Sequence, residues 1–342
     1  MAINQKEINE IRKALGKSAR PLIFFDDDPD GACSFLQLYH YVGEGKGVIL
    51  KIGSELGEVF ARKVDEYQPD LVVILDVPNV SQDFIDLVKQ KIIWIDHHPP
   101  IKRKKVNYYN PRIHNDKDNR PTSYWAWKIT KKDLWIAMAG CVADWSIPDF
   151  KDDFMKKYSG LFKKNINNPA EALFNTKIGL LARMISFNLK GTVADSMKAV
   201  RILSKIEHPN EILKQTTPKG KFIYKKFNYY NKEYQDILKE ASQTKSKILL
   251  HIYPYNKTSF TSELSNELLY KHPNKLILVG RDRNGEIKFS VRGKDIKVLP
   301  IVKKVLETLE GRGGGHEYAC GLQIKSVDLD KLLKIINEEL EN

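Results

Sequence analysis

The residues best equipped for chemistry are Asp96, His97 and His98, a consecutive triplet within WIDHHPP (94–100). The triplet ends an apolar run, KIIW, so it stands where a strand gives way to a loop. Four other acidic or His-bearing segments share this layout: FFDDDPDGA (24–32), VVILDVP (72–78), GCVADW (140–145) and GRGGGHEYACG (311–321). In the first, Asp26, Asp28 and Asp30 alternate, and an extended backbone would project them to one side. Gly31 permits a tight turn into the next element. Carboxylates gathered in this way repel one another unless a divalent cation neutralises them, and Asp76, Asp96, His97 and Asp144 add to the set. A single acidic turn residue would more often be a helix cap; three in alternation favour a metal. Carboxylate mixed with imidazole suits Mn2+ or Mg2+ better than a thiolate-rich zinc site. Two cations bridged by one carboxylate are the recurrent arrangement for displacement at phosphorus. That chemistry fits a chain in which no Ser or Cys nucleophile stands out.

The elements that must position these groups alternate in type. PLIFF (21–25), GVILKIG (47–53), DLVVILDV (70–77) and KIIWID (91–96) are apolar runs of buried-strand length. Helical spacing recurs between them over 32–42, over 55–67 and in SQDFIDLVKQ, where Ser81 is an N-cap. A leading helix is expected over 6–16, and further helices over 133–145 and 168–206. The expected fold is α/β, with a doubly wound, mostly parallel sheet whose working residues lie at the carboxyl ends of its strands. KILLHIYP (247–254), KLILVGR (275–281), EIKFSVRG (286–293) and CGLQIK (320–325) alternate with helices near 259–271, near 297–310 and after Ser326, and form a smaller C-terminal α/β domain. Asn284-Gly285 marks a tight hairpin within it. The division expected is a catalytic domain at 1–207, a connection at 208–245 and a second domain at 246–342, with the active site in the cleft between the domains.

The formal charge of +13, from 56 Lys plus Arg against 43 Asp plus Glu, favours a polyphosphate partner over a small neutral metabolite. With 42% apolar and 29% charged residues the chain reads as globular throughout. Cys33, Cys141 and Cys320 are widely spaced and read as buried thiols of a reducing compartment. No run is long enough to span a bilayer and the N-terminal helix lacks an apolar signal core, so the expected location is cytoplasmic.

The D-x-D-x-D-G-A segment, the DHH triplet and GRGGGH, in this order and spacing over nearly the whole chain, resemble the DHH phosphoesterase superfamily. The closer likeness is to its branch with a DHH-associated C-terminal domain, which includes RecJ-type exonucleases, oligoribonucleases and cyclic-dinucleotide phosphodiesterases. The resemblance implies that Asp28 binds one metal and Asp30 the other, with Asp76 bridging. His97 and Asp144 would complete the second metal's ligands. His98 would face the scissile phosphate, and Asp96 would orient a neighbouring imidazole. Small-substrate members often carry a His where this chain has Phe24; RecJ-like members carry an Asp at the position of Asp26. This favours the nuclease branch and leaves the first metal's third ligand open. GRGGGH would be a phosphate-binding loop in which Gly313, Gly314 and Gly315 expose backbone N–H groups and His316 adds a donor. Arg292 would grip substrate phosphate, whereas Arg312 has no position of its own in the pattern.

The function implied is a Mn2+- or Mg2+-dependent, two-metal exonuclease releasing mononucleotides from an end of single-stranded DNA or RNA. Its partners would be single-stranded nucleic acid and replication or repair proteins such as a helicase or replisome component. The alternatives are the same chemistry on an oligoribonucleotide, cyclic dinucleotide or nucleotide 3′-phosphate, and a catalytically dead scaffold, which the filled acidic positions disfavour. IKRKKVNYYNPR (101–112) would flank the active-site mouth, with phosphate contacts from Lys102 to Lys105 weighed against a solvated surface. The Lys/aromatic stretch 219–234 reads as a helix burying one face, against the alternative of a base-stacking platform.

Overall fold

The computed structural model describes residues 3–51, 55–242, 246–255 and 258–341, so the expected strand end at 52–53 lies outside the described residues. The chain divides into two compact units, Met1–Phe227 and Asn228–Asn342.

The first unit begins with α1 (Gln5–Lys17), β1 (Pro21–Asp26), α2 (Pro29–Val42), β2 (Lys46–Leu50), α3 (Ala61–Tyr67), β3 (Leu71–Leu75), α4 (Gln82–Leu87) and β4 (Lys91–Ile95). A short strand, β5 (Asn107–Tyr109), follows inside the basic 101–112 stretch, where charge hid its extended conformation from the apolar pattern. All five strands run parallel in the order β2-β1-β3-β4-β5. The order reverses between β1 and β3, and in such sheets ligands bind at that switch, beyond the carboxyl ends of the strands. Phe24, Val72, Ile74 and Trp94 face a core closed by Val64 of α3 and by Phe84 and Ile85 of α4. The opposite face takes α2, whose Phe35 stacks on Phe25 at 4.5 Å.

The unit continues with α5 (Pro111–His114), α6 (Thr122–Thr130), α7 (Leu134–Ala143), α8 (Lys151–Lys157), α9 (Pro169–Asn175), α10 (Lys177–Asn188), α11 (Val193–Leu203) and α12 (Asn210–Leu213). Residues 135–142 of α7 are all buried, which makes it a central helix rather than an amphipathic one. The stretch expected to connect the domains includes a 24-residue helix, α13 (Pro218–Ala241), and the division between units falls inside it. Ile223, Phe227 and Tyr234 are buried while Lys221 and Lys225 stay wet, but Tyr229 is 73% exposed and Phe222, Tyr224 and Tyr230 are half-buried, so only part of the aromatic interleaving lies on a buried helix face.

The second unit contains β6 (Ile248–Pro254), α14 (Thr261–Lys271), β7 (Leu276–Arg283), β8 (Glu286–Arg292), α15 (Val298–Thr308), β9 (Gly311–His316), β10 (Ala319–Lys325) and α16 (Leu329–Glu341). Its sheet has the order β6-β7-β8-β10-β9. Leu278, Phe289 and Leu322 pack on one side against Val302 and Val305 of α15 and Ile336 of α16. The expected Gly-rich loop is thus corrected: Gly311–His316 form an edge strand, because β10 supplies a ladder partner to every one of those residues.

Candidate metal centre

The parallel sheet delivers its acidic residues to one rim, but not by strand alternation. Asp26 ends β1. Asp28 is the N-cap of α2, its Oδ1 accepting from Gly31 N–H at 2.8 Å. Asp30 lies in the helix's first turn, because α2 starts at Pro29 rather than at residue 32. The helix entry closes so tightly on β1 that a Cβ on Gly31 would lie 2.7 Å from the Asp26 carbonyl oxygen. Asp76 follows β3 with φ +60°, a left-handed conformation unusual for Asp, and its N–H is held by the Ile95 carbonyl at 3.0 Å. His97 and His98 follow β4, and Asp144 is the C-cap of α7. At Gly140, one turn earlier, a Cβ would meet Ser123 Oγ at 2.5 Å and Cys33 Cβ at 2.9 Å. The missing side chain lets α2, α6 and α7 approach where their site residues lie.

The Asp30 carboxylate is 1% exposed and accepts from two backbone N–H groups at the start of α6, Thr122 at 2.7 Å and Ser123 at 2.8 Å. Thr122 Oγ1 also donates to Asp76 Oδ1 at 3.1 Å. His97 Nδ1 lies 3.1 Å from the Asn119 carbonyl oxygen, to which only an N–H can donate, so Nε2 is the ring atom that faces the carboxylates. It stands 3.5 Å from Asp76 Oδ1, 3.7 Å from Asp144 Oδ2 and 3.9 Å from Asp30 Oδ2. One ligand atom each from Asp30, His97 and Asp144 lie within 4.8 Å of one another, and so do those of Asp76, His97 and His98.

The electrostatics fit a divalent cation. Burial, reinforced by Asp30 and Asp28, pushes the Asp76 carboxyl well above the usual carboxylate range, and burial with Asp30 does the same to Asp144. Asp28 is raised by burial and by Asp30, and shares a hydrogen bond with Asp76. Asp26 is raised to about 7, by burial first and then by the Asp28 charge. Protonating such groups is what a protein does when no divalent ion neutralises them. Asp26, Asp28, Asp30, Asp76, His97 and Asp144 therefore have the donor chemistry to hold divalent metal.

His98 is arranged differently. Its Nδ1 is 2.8 Å from Asp96 Oδ1 and 3.9 Å from Asp76 Oδ1, and its ring is half-exposed. Burial works against its charge, but the Asp96 bond prevails and raises its pKa. Asp96, fully buried, also accepts from Tyr108 OH at 3.1 Å and Asn110 Nδ2 at 3.2 Å. Thr122, Asn119, Tyr108 and Asn110 were not singled out from sequence; the one available signal was Asn110-Pro111 and Pro121-Thr122, each opening a helix. The basic stretch contributes less than its composition offers. Arg103 bonds the Val80 carbonyl and Lys105 pairs with Asp86 at 2.9 Å, while Lys104 bonds Gln82 only through its backbone, which leaves the ammonium groups of Lys102 and Lys104.

Arg292 and the 313–316 segment belong to the second unit. Arg292 Nε donates to Asn266 Oδ1 at 2.9 Å and its Nη1 to the Val291 and Cys320 carbonyls, with no carboxylate partner among the described residues. Burial lowers its pKa, the mark of a guanidinium short of an anion. His316 and Gly313 to Gly315 are exposed along β9.

A model of the DHH family, N-terminal domain, matches residues 20–143, and a model of the DHHA1 domain matches residues 252–342, together more than half of the chain. The chain belongs to the DHH family. A comparison with curated proteins finds no match. Among solved structures, Thermus thermophilus RecJ in complex with Mn2+ is 14% identical with a TM-score of 0.67, covering 97% of this chain and 53% of that one. The DHH chain thus spans about half the length of that protein. Exonuclease RecJ bound to manganese is 16% identical, TM-score 0.62, covering 96% and 92% of the two chains. A pGpG-specific phosphodiesterase from Vibrio cholerae is 14% identical, TM-score 0.51, covering 94% and 99%. At these identities the likeness is one of fold. The fold is shared with an exonuclease and with a phosphodiesterase. Among the described residues no helix is long and apolar enough to cross a membrane.

Proposed function

We propose that this DHH protein is a metal-dependent exonuclease that hydrolyses single-stranded DNA or RNA from an end to mononucleotides. The observation that carries the reading is the convergence of His97 Nε2 with the carboxylates of Asp30, Asp76 and Asp144, all within 3.9 Å of it. Asp30, Asp76, His97 and Asp144 would hold one ion, and Asp26, Asp28 and Asp76 the other, with Asp76 common to both. Two Mn2+ or Mg2+ ions so held would supply a hydroxide nucleophile from water and charge stabilisation at phosphorus. His98, its Nδ1 committed to Asp96, keeps Nε2 for the substrate phosphate. Arg292, short of an anion, and His316 on β9 bind substrate phosphate. The +13 charge supports a polymer over a small metabolite. RecJ structures with Mn2+ and Mg2+ support the choice of ion. A cytoplasmic setting and partners in replication or repair follow from the nuclease reading.

Hydrolysis of an end-labelled single-stranded 20-mer, compared with a dinucleotide in Mn2+, tests the proposal. Mononucleotides released progressively from the 20-mer are expected. Activity confined to the dinucleotide would replace the exonuclease with a small-substrate phosphodiesterase, the reading favoured by the pGpG-specific neighbour.

A further inference from the structure

Helix α7 ends on Asp144, and the two residues after it close the helix with a fixed pair of bonds. Trp145 N–H donates to the Val142 carbonyl at 3.3 Å, and Ser146 N–H to the Cys141 carbonyl at 2.8 Å. This pairing puts Trp145 where the backbone turns left-handed, and its φ is +57°. Glycine meets that position without steric cost, and Asn is the usual substitute. The other described non-glycine residues with a left-handed backbone are Gln, Asp, Lys or Asn; Trp145 alone among them is apolar. Ending the helix does not call for an indole here, and works against one.

Nor does the core call for it. The Trp145 side chain leaves the residue 39% exposed, whereas Trp94, Trp125 and Trp135 are at most 3% exposed. Phe174 of α9 meets the indole at 6.2 Å with the ring planes 70° apart, an edge-to-face contact that steadies the ring and leaves much of it open. What sets Trp145 apart is its place. Asp144 Oδ2 stands 3.7 Å from His97 Nε2, and of the three carboxylates around that atom Asp30 and Asp76 are sealed while the Asp144 side chain is 32% exposed. The metal centre therefore opens to solvent beside Asp144. The next residue, one Cα–Cα step of about 3.8 Å along the chain, presents an exposed aromatic ring at that opening.

We propose that Trp145 is a stacking surface for the nucleobase next to the scissile phosphate, and that its strained backbone is retained for this contact. The proposal rests on the nuclease reading of the metal centre and adds a selectivity to it. A phosphodiester flanked by a base is preferred over one that is not, and which base it is matters little, because every base offers a π-face.

The test compares two end-labelled single-stranded 20-mers, one natural and one carrying tetrahydrofuran abasic analogues at the two outermost positions of each end. With Mn2+ the wild type should hydrolyse the natural 20-mer with a KM about tenfold lower. Trp145→Gly should raise the KM for the natural 20-mer to that for the abasic one, with Mn2+ stoichiometry retained. Because glycine suits the turn, the urea midpoint of this variant should match or exceed that of the wild type. Trp145→Phe, which keeps an aromatic face, should keep most of the preference. Binding gives a readout apart from turnover. In Mg2+, a natural 20-mer with hydrolysis-resistant phosphorothioate linkages should quench the tryptophan fluorescence of the wild type, and the abasic 20-mer should not; Trp145→Phe should show no quenching with either. Equal KM values for the two 20-mers in the wild type, or a base preference that survives Trp145→Gly, would overturn the stacking and leave the nuclease reading intact. A lower urea midpoint for Trp145→Gly, with turnover of both 20-mers reduced alike, would make Trp145 a packing residue instead. A wild type that hydrolyses neither 20-mer would sink the nuclease reading and the stacking with it.

Discussion

The two units handle charge in opposite ways. In Met1–Phe227 like charges are concentrated and buried: Asp30 and Asp76 are each 1% exposed, and burial, reinforced by the Asp30 charge, raises the pKa values of Asp28 and Asp144. In Asn228–Asn342 the positive groups of Lys288 on β8 and Arg312 on β9 are exposed, and Arg312 bonds Gln323. The difference fits what each is proposed to meet. A small divalent ion rewards close-packed oxygens in a low-dielectric site, where each attraction is large. A flexible polyanion rewards evenly spaced, exposed cations that exchange with counterions. Topology serves each need: strand ends at a switch point converge on one spot, whereas paired strands set out a row.

The sharpest way to break the contrast is to remove a charge from the dense side. Asp76→Asn keeps the shape but takes a carboxylate from the point shared by both proposed ions. Turnover with Mn2+ is expected to fall by more than the roughly 10–100-fold typical of supporting groups, while 20-mer binding in chelator, carried by the other unit, persists. Mn2+ titration followed by calorimetry should show loss of at least one site. Retained turnover with full metal stoichiometry would remove Asp76 from the ligand set.

A smaller effect is expected one layer out. Asn110 Nδ2 donates to Asp96 Oδ2 at 3.2 Å and to the His98 carbonyl at 2.9 Å, so it fixes the carboxylate that orients the His98 ring. Asn110→Ala should cut kcat by about 10–100-fold with little change in KM, and Tyr108→Phe, which removes one donor to Asp96, by less. Metal stoichiometry should survive both. A loss seen entirely in KM would mean that this network shapes substrate binding rather than the reacting centre.

Sequence exposed these two regions unequally. The strands were legible because buried parallel strands are unbroken apolar runs, and the acidic clusters declared themselves at the ends of those runs. What was hidden depends on long-range contact. Asp30 could not be seen as the acceptor of two N–H groups from α6, because Thr122 lies 92 positions away in the chain. The alternation of Asp26, Asp28 and Asp30 was read as one extended face, yet Pro29 starts a helix and the three converge by a bend instead. β5 was concealed by its lysine-rich approach, and β9 by glycines, whose low strand propensity is offset by the ladder with β10.

The smallest effect tests how the dense side is braced. His40, near the end of α2, places Nδ1 2.8 Å from Asp133 Oδ2 and Nε2 2.8 Å from the Ser204 carbonyl. Both are acceptors, so both ring nitrogens carry protons and the imidazole is charged. Asp133 directly precedes α7, whose other end is Asp144, while the other end of α2 carries Asp28 and Asp30. The clamp therefore ties together the back ends of the helices that present those carboxylates. The Asp133 bond raises the His40 pKa above its usual 6.5 despite burial; Lys132, bonded to the His40 carbonyl, works against it, and Tyr158 faces Asp133. A folded-state pKa above the unfolded one means stability that is fully present below pH 6.5 and lost as pH rises through the folded value. The wild type should accordingly exceed His40→Gln by on the order of 1 kcal/mol at low pH, with the margin shrinking at alkaline pH in urea unfolding. Metal affinity should change little, because Asp30 and Asp144 are held by α6 and by the α7 backbone as well. A margin that widens with pH would mean that His40 is neutral in the folded chain and that the clamp is not ionic.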